Sequence, residues 1–221
     1  MNNSNYNEEK SKAYYTSLRI RMVDHQLISR GIKDELVLKA MRTVPRHKFI
    51  PVKYRENAYL DGPQPIGKNQ TISQPFIVAS MTEHLQIDGN SRVLEVGTGC
   101  GYQTAVLAEI TKSVFSIERI PDLLEKANDI LFELGYRTVK TKLGDGIKGI
   151  PEHAPYDGII VTAASSNIPD ALIEQLAIGG RMIIPVEESS NTQNLMKIIK
   201  NSHGLTIEKL YEVRFVPLIG N

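Results

Sequence analysis

Apolar positions along the chain follow two different rhythms, and the change falls near residue 90. Before it, the spacing is helical but interrupted. Leu18, Met22, Leu27 and Ile28 share one face of a first helix, which Gly31 ends. Leu36, Val37, Ala40 and Met41 predict a second, shorter helix. Pro45, Pro51, Pro63, Pro65 and Pro75 follow with few periodic runs between them, which predicts a loop-rich cap. A helix over residues 77–85 follows the stop at Pro75.

Beyond residue 90, short apolar runs rich in β-branched residues alternate with amphipathic ones. Strands are expected at 92–96, 113–118, 138–143, 157–162 and 181–186, with helices at 102–110, 121–134 and 169–177. Near-continuous apolar strands separated by helices imply a parallel sheet covered on both faces. Two last runs, 194–200 and 205–216, have no helix between them and should pair antiparallel at one edge. The expected fold is a doubly wound, mostly parallel α/β sheet with an antiparallel edge and an N-terminal helical cap. Its divisions are a polar mobile tail over 1–12, a cap and active-site segment over 13–90, and a ligand-binding α/β core over 91–221, all within one domain.

Composition narrows the class. A length of 221 residues suits one domain, and a net charge of +1 supplies no overall pull toward nucleic acid or an anionic membrane. The single cysteine, Cys100, forbids an intramolecular disulfide. No apolar run approaches the ~20 residues of a membrane span. The polar N-terminus has no apolar signal-peptide core, so a cytoplasmic protein is expected. The histidines, His25, His47, His84, His153 and His203, lack metal-ligand spacing, so no metal is expected.

The chemistry begins at Val93-Leu94-Glu95-Val96-Gly97-Thr98-Gly99-Cys100-Gly101, a buried strand running into a glycine turn, with a helix from Tyr102. Glycines permit the turn and let a ligand approach the main chain. A dinucleotide fingerprint requires a third glycine or alanine where Tyr102 stands. An acid two residues before G-x-G-x-G resembles the first motif of class I S-adenosylmethionine methyltransferases. Glu118 ends the second strand about 20 residues on, where a carboxylate can accept both ribose hydroxyls. Asp145, between Gly144 and Gly146 after the third strand, can accept the adenine amino group. Glu95, Glu118 and Asp145 would thus lay the cofactor across three strand ends. Cys100 reads as a small residue tolerated in the turn, with no partner base.

The acceptor is narrowed by what is missing. After the fourth strand comes Thr162-Ala163-Ala164-Ser165-Ser166, not the Asn/Asp-Pro-Pro-aromatic motif of enzymes that methylate nucleic-acid amino groups. No Pro-Cys pair serves cytosine, and no general base stands out. A carboxylate acceptor, with a pKa of about 4, needs no proton removed. It needs an oxygen aligned with the sulfonium methyl.

Gln70-Thr71-Ile72-Ser73-Gln74-Pro75-Phe76-Ile77-Val78-Ala79 resembles the motif of protein-L-isoaspartate O-methyltransferases, in that family's position before the glycine turn. The resemblance continues through Pro45–Pro51, Val93–Gly101, Tyr156–Ala164, Gly179–Val186 and Val213–Leu218, and covers roughly residues 15 to 221. It implies a Rossmann-like methyltransferase sheet and S-adenosyl-L-methionine as cofactor, with S-adenosyl-L-homocysteine as product. Isoaspartyl residues of damaged proteins and peptides would be the acceptors. Ser73 would be the active-site serine, orienting the α-carboxylate without a covalent intermediate. Gln70, Thr71 and Ile72 would line the cofactor through their backbone. Glu95, Gly97, Thr98, Gly99, Gly101, Glu118, Arg119, Asp145, Gly146 and Ala163 complete the implied cofactor site. Val216, Pro217 and Leu218 match the segment that binds substrate peptide. The chain departs at Val78, where some members carry a cofactor-contacting histidine. Another carboxylate in a modified peptide, a cofactor-binding scaffold without catalysis and, least well, an NAD-dependent oxidoreductase stay open on the residues alone.

Overall fold

The computed structural model of the chain describes residues 3–189 and 192–220. Helix α1, Asn3–Met22, runs on through a wider turn over Val23–Leu27 and a tight one over Ile28–Arg30. Gly31 stops it with a φ of 95°, a left-handed conformation that glycine adopts without a Cβ penalty. The backbone of α1 therefore takes in most of the segment expected as a tail. Met1 and Asn2 lie outside the described residues.

Helix α2, Glu35–Thr43, starts where the Asp34 carboxylate accepts the N–H groups of Leu36 and Val37. It buries Val37, Leu38, Ala40 and Met41, whereas Leu36, expected inside, is exposed. The short hairpin β1 (Gln64–Gly67) and β2 (Gln70–Ile72) lies within the stretch expected to be loop. Lys68 and Asn69 turn it with φ of 52° and 57°. Helix α3, Pro75–Leu85, takes Pro75 as its first residue, where a missing N–H costs no helical bond.

The main sheet comprises β3 (Arg92–Val96), β4 (Ser113–Glu118), β5 (Lys140–Leu143), β6 (Tyr156–Val161), β7 (Leu176–Ser189), β8 (Thr192–Asn201) and β9 (Gly204–Val213). Helices α4 (Tyr102–Ile110), α5 (Pro121–Glu133) and α6 (Asp170–Gln175) connect the parallel strands. The order is β5-β4-β3-β6-β7-β8-β9. The first five are parallel neighbours, and β8 and β9 pair antiparallel at the edge. The chain winds outward from β3 to β5, then crosses back to β6. The switch point between β3 and β6 opens a crevice at the strands' carboxyl ends.

Alternation along the strands serves both faces. Val93, Val114, Ile160 and Ile183 join Met22, Leu27, Met41 and Phe49 of the N-terminal part in one hydrophobic cluster. Leu94, Val96, Phe115, Ile117, Ile159 and Val161 form a second cluster on the opposite face. Strand β9 ends at Val213, three residues earlier than expected, because the chain then runs alongside Ala164, beyond the end of β6. There Ala164 donates to the Val216 carbonyl at 2.8 Å, and Leu218 donates to the Ala164 carbonyl at 2.6 Å.

Candidate active site

Strand β3 delivers the chain into a turn that only glycine makes cheaply. Gly97, Gly99 and Gly101 have φ of 97°, 55° and 88°. Gly97 and Thr98 donate to the Ile117 carbonyl at 2.8 and 3.3 Å, which binds the turn to the end of β4. A Cβ on Gly97 would drive into Thr162 Oγ1, well inside van der Waals contact. That hydroxyl donates to the Gly97 carbonyl at 2.8 Å, so the turn is clasped from the β6 side as well.

Glu118 braces the same turn. Its Oε2 accepts from Gly99 N at 2.8 Å, and its Oε1 accepts from Arg119 N at 2.8 Å and Ile120 N at 2.9 Å. The carboxylate is thereby fixed at the mouth of the crevice, with lone pairs left over for a further donor.

Beneath the turn lies a buried polar knot. Glu95 Oε2 accepts from Thr104 Oγ1 at 2.5 Å and from Ser116 Oγ at 2.6 Å, and Ser116 Oγ pairs with Thr98 Oγ1 at 2.6 Å. Desolvation pushes the Glu95 carboxyl up to about 8, so it holds its proton at neutral pH. It supports the turn from inside the protein.

Two clefts open at this end of the sheet. The first lies at the carboxyl ends of β3, β4 and β6. Val96, Gly97, Thr98 and Gly99 form its floor, and Ile117, Glu118, Arg119 and Ile120 form one wall. Ile66, Gln70, Thr71, Ile72 and Ser73 cover it from the cap. Gly146, Thr162, Ala163, Val216, Pro217 and Leu218 close the remaining side. The second cleft lies beside it between Pro63, Gln74 and Ile77 of the cap and Glu212, Arg214 and Phe215 of the terminal segment. Thr71, Ser73, Thr162 and Val216 line both.

Most residues singled out in the sequence meet at the first cleft. Glu95, Gly101 and Asp145 do not line it. Glu95 is fully buried below the turn. Gly101 serves as the N-cap of α4. Asp145 caps the following short turn, accepting from Ile147 N at 3.0 Å, and its side chain is 6% exposed. Val78 lines the cleft as an apolar residue, in keeping with its lack of a polar role. Sequence reasoning missed Ile66, Met81, Tyr102, Gln103 and Ile120 as lining residues. Ile66 and Met81 arrive through tertiary packing, whereas Tyr102 and Gln103 open α4 directly after the turn and were within reach of the motif. Cys100 lines the cleft too, but burial pushes its thiol up to about 11, which argues against a nucleophile. Among the described residues, no group of three or more His, Cys, Asp or Glu side chains could hold a metal ion, and no helix is long and apolar enough to cross a membrane.

The cradle suits a nucleoside-type ligand. Glycine backbone lining the cleft, a fixed carboxylate at the second strand end and apolar walls at Ile117, Ile120 and Leu218 match a sugar, a ring and a charged tail. Doubly wound sheet, glycine turn and strand-end acid together define a class I S-adenosylmethionine-dependent methyltransferase.

Comparison with known proteins carries this further. The family model described as protein-L-isoaspartate(D-aspartate) O-methyltransferase matches residues 19–221. A protein-L-isoaspartate O-methyltransferase of Gloeobacter violaceus is 50% identical over 197 residues, covering 89% of this chain and 96% of the relative. One from Methanoculleus marisnigri is 50% identical over 202 residues, covering 91% of each. A solved protein-L-isoaspartate O-methyltransferase superposes with a TM-score of 0.82 at 31% identity, over 92% of this chain and 66% of the other. A Plasmodium falciparum structure described as this enzyme in complex with S-adenosyl-L-homocysteine superposes with a TM-score of 0.80 at 29% identity, over 92% and 99%. The chain belongs to the protein-L-isoaspartate (D-aspartate) O-methyltransferase family.

Proposed function

We propose that the chain transfers the methyl group of S-adenosyl-L-methionine to the free α-carboxylate of L-isoaspartyl residues in damaged proteins and peptides. The products are S-adenosyl-L-homocysteine and an isoaspartyl methyl ester. The observation that carries this reading is the junction of two clefts at Thr71, Ser73, Thr162 and Val216 in a chain of this family. One cleft suits the donor, the other an extended peptide, and the shared wall is where donor and acceptor meet.

Gln70, Thr71 and Ile72 hold the donor with their backbone, facing Gly97, Thr98 and Gly99. Glu118 takes the ribose hydroxyls, with Arg119, Gly146 and Ala163 around it. Glu95, Gly101 and Asp145 act indirectly, by fixing the turn, the start of α4 and the loop at Gly146. The donor supplies an electrophilic methyl on a sulfonium. Ser73 donates a hydrogen bond that aligns the acceptor carboxylate, while Val216, Pro217 and Leu218 hold the peptide backbone. The carboxylate is already ionised, so the residues need only orient it and exclude water. Opposite charges on donor and acceptor attract in a water-poor cleft. The neighbouring backbone amide nitrogen then displaces methanol from the ester to close a succinimide, which water reopens in part to normal aspartate. The acceptor is polypeptide rather than nucleic acid, and the reaction belongs in the cytoplasm, consistent with a single unpaired cysteine.

The test is incubation with methyl-labelled donor and an isoaspartyl peptide, followed by mild base. Label released as methanol is expected, because a carboxyl ester is base-labile. Base-stable label, or none, would refute the assignment.

A further inference from the structure

The segment Pro45-Arg46-His47-Lys48-Phe49-Ile50-Pro51 lines neither cleft. Within it, Arg46 is 0% exposed and the largest of the fully buried side chains. Its Nε donates to the Ala58 carbonyl at 2.7 Å and its Nη2 donates to the Ser73 carbonyl at 2.8 Å. The guanidinium also lies 4.9 Å from the centroid of the Tyr102 ring. Its Nη1 is buried without a hydrogen-bond partner among the described residues. No carboxylate there comes within ion-pair distance of it; the acids engaged in ion pairs all face other cations.

An arginine keeps its proton in proteins. A buried cation without a counter-ion is costly and is ordinarily paired. Two carbonyls and a ring face offset only part of that cost here. The charge is nonetheless held in place, one hydrogen bond from the main chain of Ser73, where the two clefts meet. A fixed cation in a low-dielectric surround acts on a nearby anion more strongly than the same charge in water. The charges that line the acceptor cleft itself, Glu212 and Arg214, are opposite in sign, exposed to solvent and therefore screened.

We propose that Arg46 is a positioning residue for the methyl acceptor: its guanidinium pins the Ser73 backbone, and its uncompensated charge makes the cleft junction favour an anionic acceptor over a neutral one. This deepens the reading of the site given above and rests on it. Arg46 has two separable tasks. The bonds to Ala58 and Ser73 fix where the serine hydroxyl stands, which governs the rate. The charge sets which acceptor binds.

The experiment uses the full chain as wild type, Arg46→Lys and Arg46→Met. Binding of S-adenosylhomocysteine by calorimetry reports the donor cleft. Binding of an isoaspartyl peptide and of its neutral α-carboxamide twin is then measured with S-adenosylhomocysteine present, alongside kcat and KM. Wild type should prefer the anionic peptide by about tenfold or more. Arg46→Met should lose most of that preference by weakening the anionic peptide alone. Arg46→Lys should retain the preference but lose kcat, since one ammonium cannot hold both carbonyls in the arginine's geometry. A merely structural role would weaken both peptides equally, and that result overturns the proposal, as does an unchanged preference in Arg46→Met. If Arg46→Met fails to fold, Arg46→Lys decides: reduced kcat with retained preference supports the proposal, and unchanged kcat or lost preference overturns it. Failure of wild type to methylate the isoaspartyl peptide would instead refute the functional reading.

Discussion

Replacing Gly97 with alanine puts a methyl group where the backbone has no room and the wrong sign of φ. Gly97 sits at φ 97°, and holding an L-residue on the left-handed side costs about 1–2 kcal/mol. The new Cβ would also collide with Thr162 Oγ1, which donates to the carbonyls of Val96 and Gly97 at 3.1 and 2.8 Å. Displacing that hydroxyl forfeits roughly 1 kcal/mol of net hydrogen bonding. The sum, about 2–3 kcal/mol, corresponds to a fall in Tm of roughly 4–12 °C for a chain of this size. The turn forms the cleft floor, so affinity for S-adenosylhomocysteine should drop by at least about tenfold, because displaced binding groups lose alignment. Thermal melts and titration calorimetry measure the two effects. Thr162→Ala separates their causes. Without Oγ1, the nearest remaining atom is the residue-162 Cβ at 3.7 Å, an ordinary contact. The double variant should therefore relieve the clash but keep the φ strain, giving a coupling of about 1 kcal/mol. Wild-type Tm and affinity in Gly97→Ala, or strict additivity with Thr162→Ala, would refute the reasoning.

Three further outcomes follow from the same geometry. Ser73→Ala should lower kcat while leaving S-adenosylhomocysteine affinity within about twofold, measured by initial rates and calorimetry; unchanged kcat removes Ser73 from the mechanism. Glu118→Ala leaves the N–H groups of Gly99, Arg119 and Ile120 without their acceptor and the ribose without its partner, so cofactor affinity should fall by about tenfold or more; unaltered affinity contradicts the ribose role. Burial raises Glu95 from 4.5 to about 8, so folding takes up a proton between those values, and this group's contribution to stability falls as pH rises through that window, by up to ~1.4 kcal/mol per unit. Glu95→Gln should flatten that part of the Tm profile between pH 5 and 8, and an identical slope in both proteins would show that Glu95 is ionised.

The parts legible in the sequence are those that local chemistry decides. β3, β4 and α4 fall on their expected bounds, because a buried strand, a glycine turn and an α-helix each leave a short-range pattern. β5 is shorter than expected, starting at Lys140, because it lies at the edge with β4 as its sole strand partner. β7 is longer, because its hairpin with β8 extends pairing to Ser189. Leu36 is exposed and Leu38 buried because helical period alone does not say which face meets α3 and α4. At the site, spacing identified Glu118 but could not show that its carboxylate faces the turn's own N–H groups. Nor could it separate residues that line the cleft from Glu95 and Asp145, which stand behind it. Arg46 was the least legible, since its importance lies in contacts with Ala58 and Ser73, distant in sequence, and in the acid that is not beside it.

The most direct test of the whole account compares two peptides that differ in one linkage. An isoaspartyl peptide and its normal aspartyl twin, each offered with methyl-labelled S-adenosylmethionine, have the same composition and charge. They differ in whether a free α-carboxylate can reach Ser73 from an extended main chain. Labelling of the isoaspartyl peptide and essentially none of its twin is expected. Equal labelling of the two, or label in neither, would contradict it.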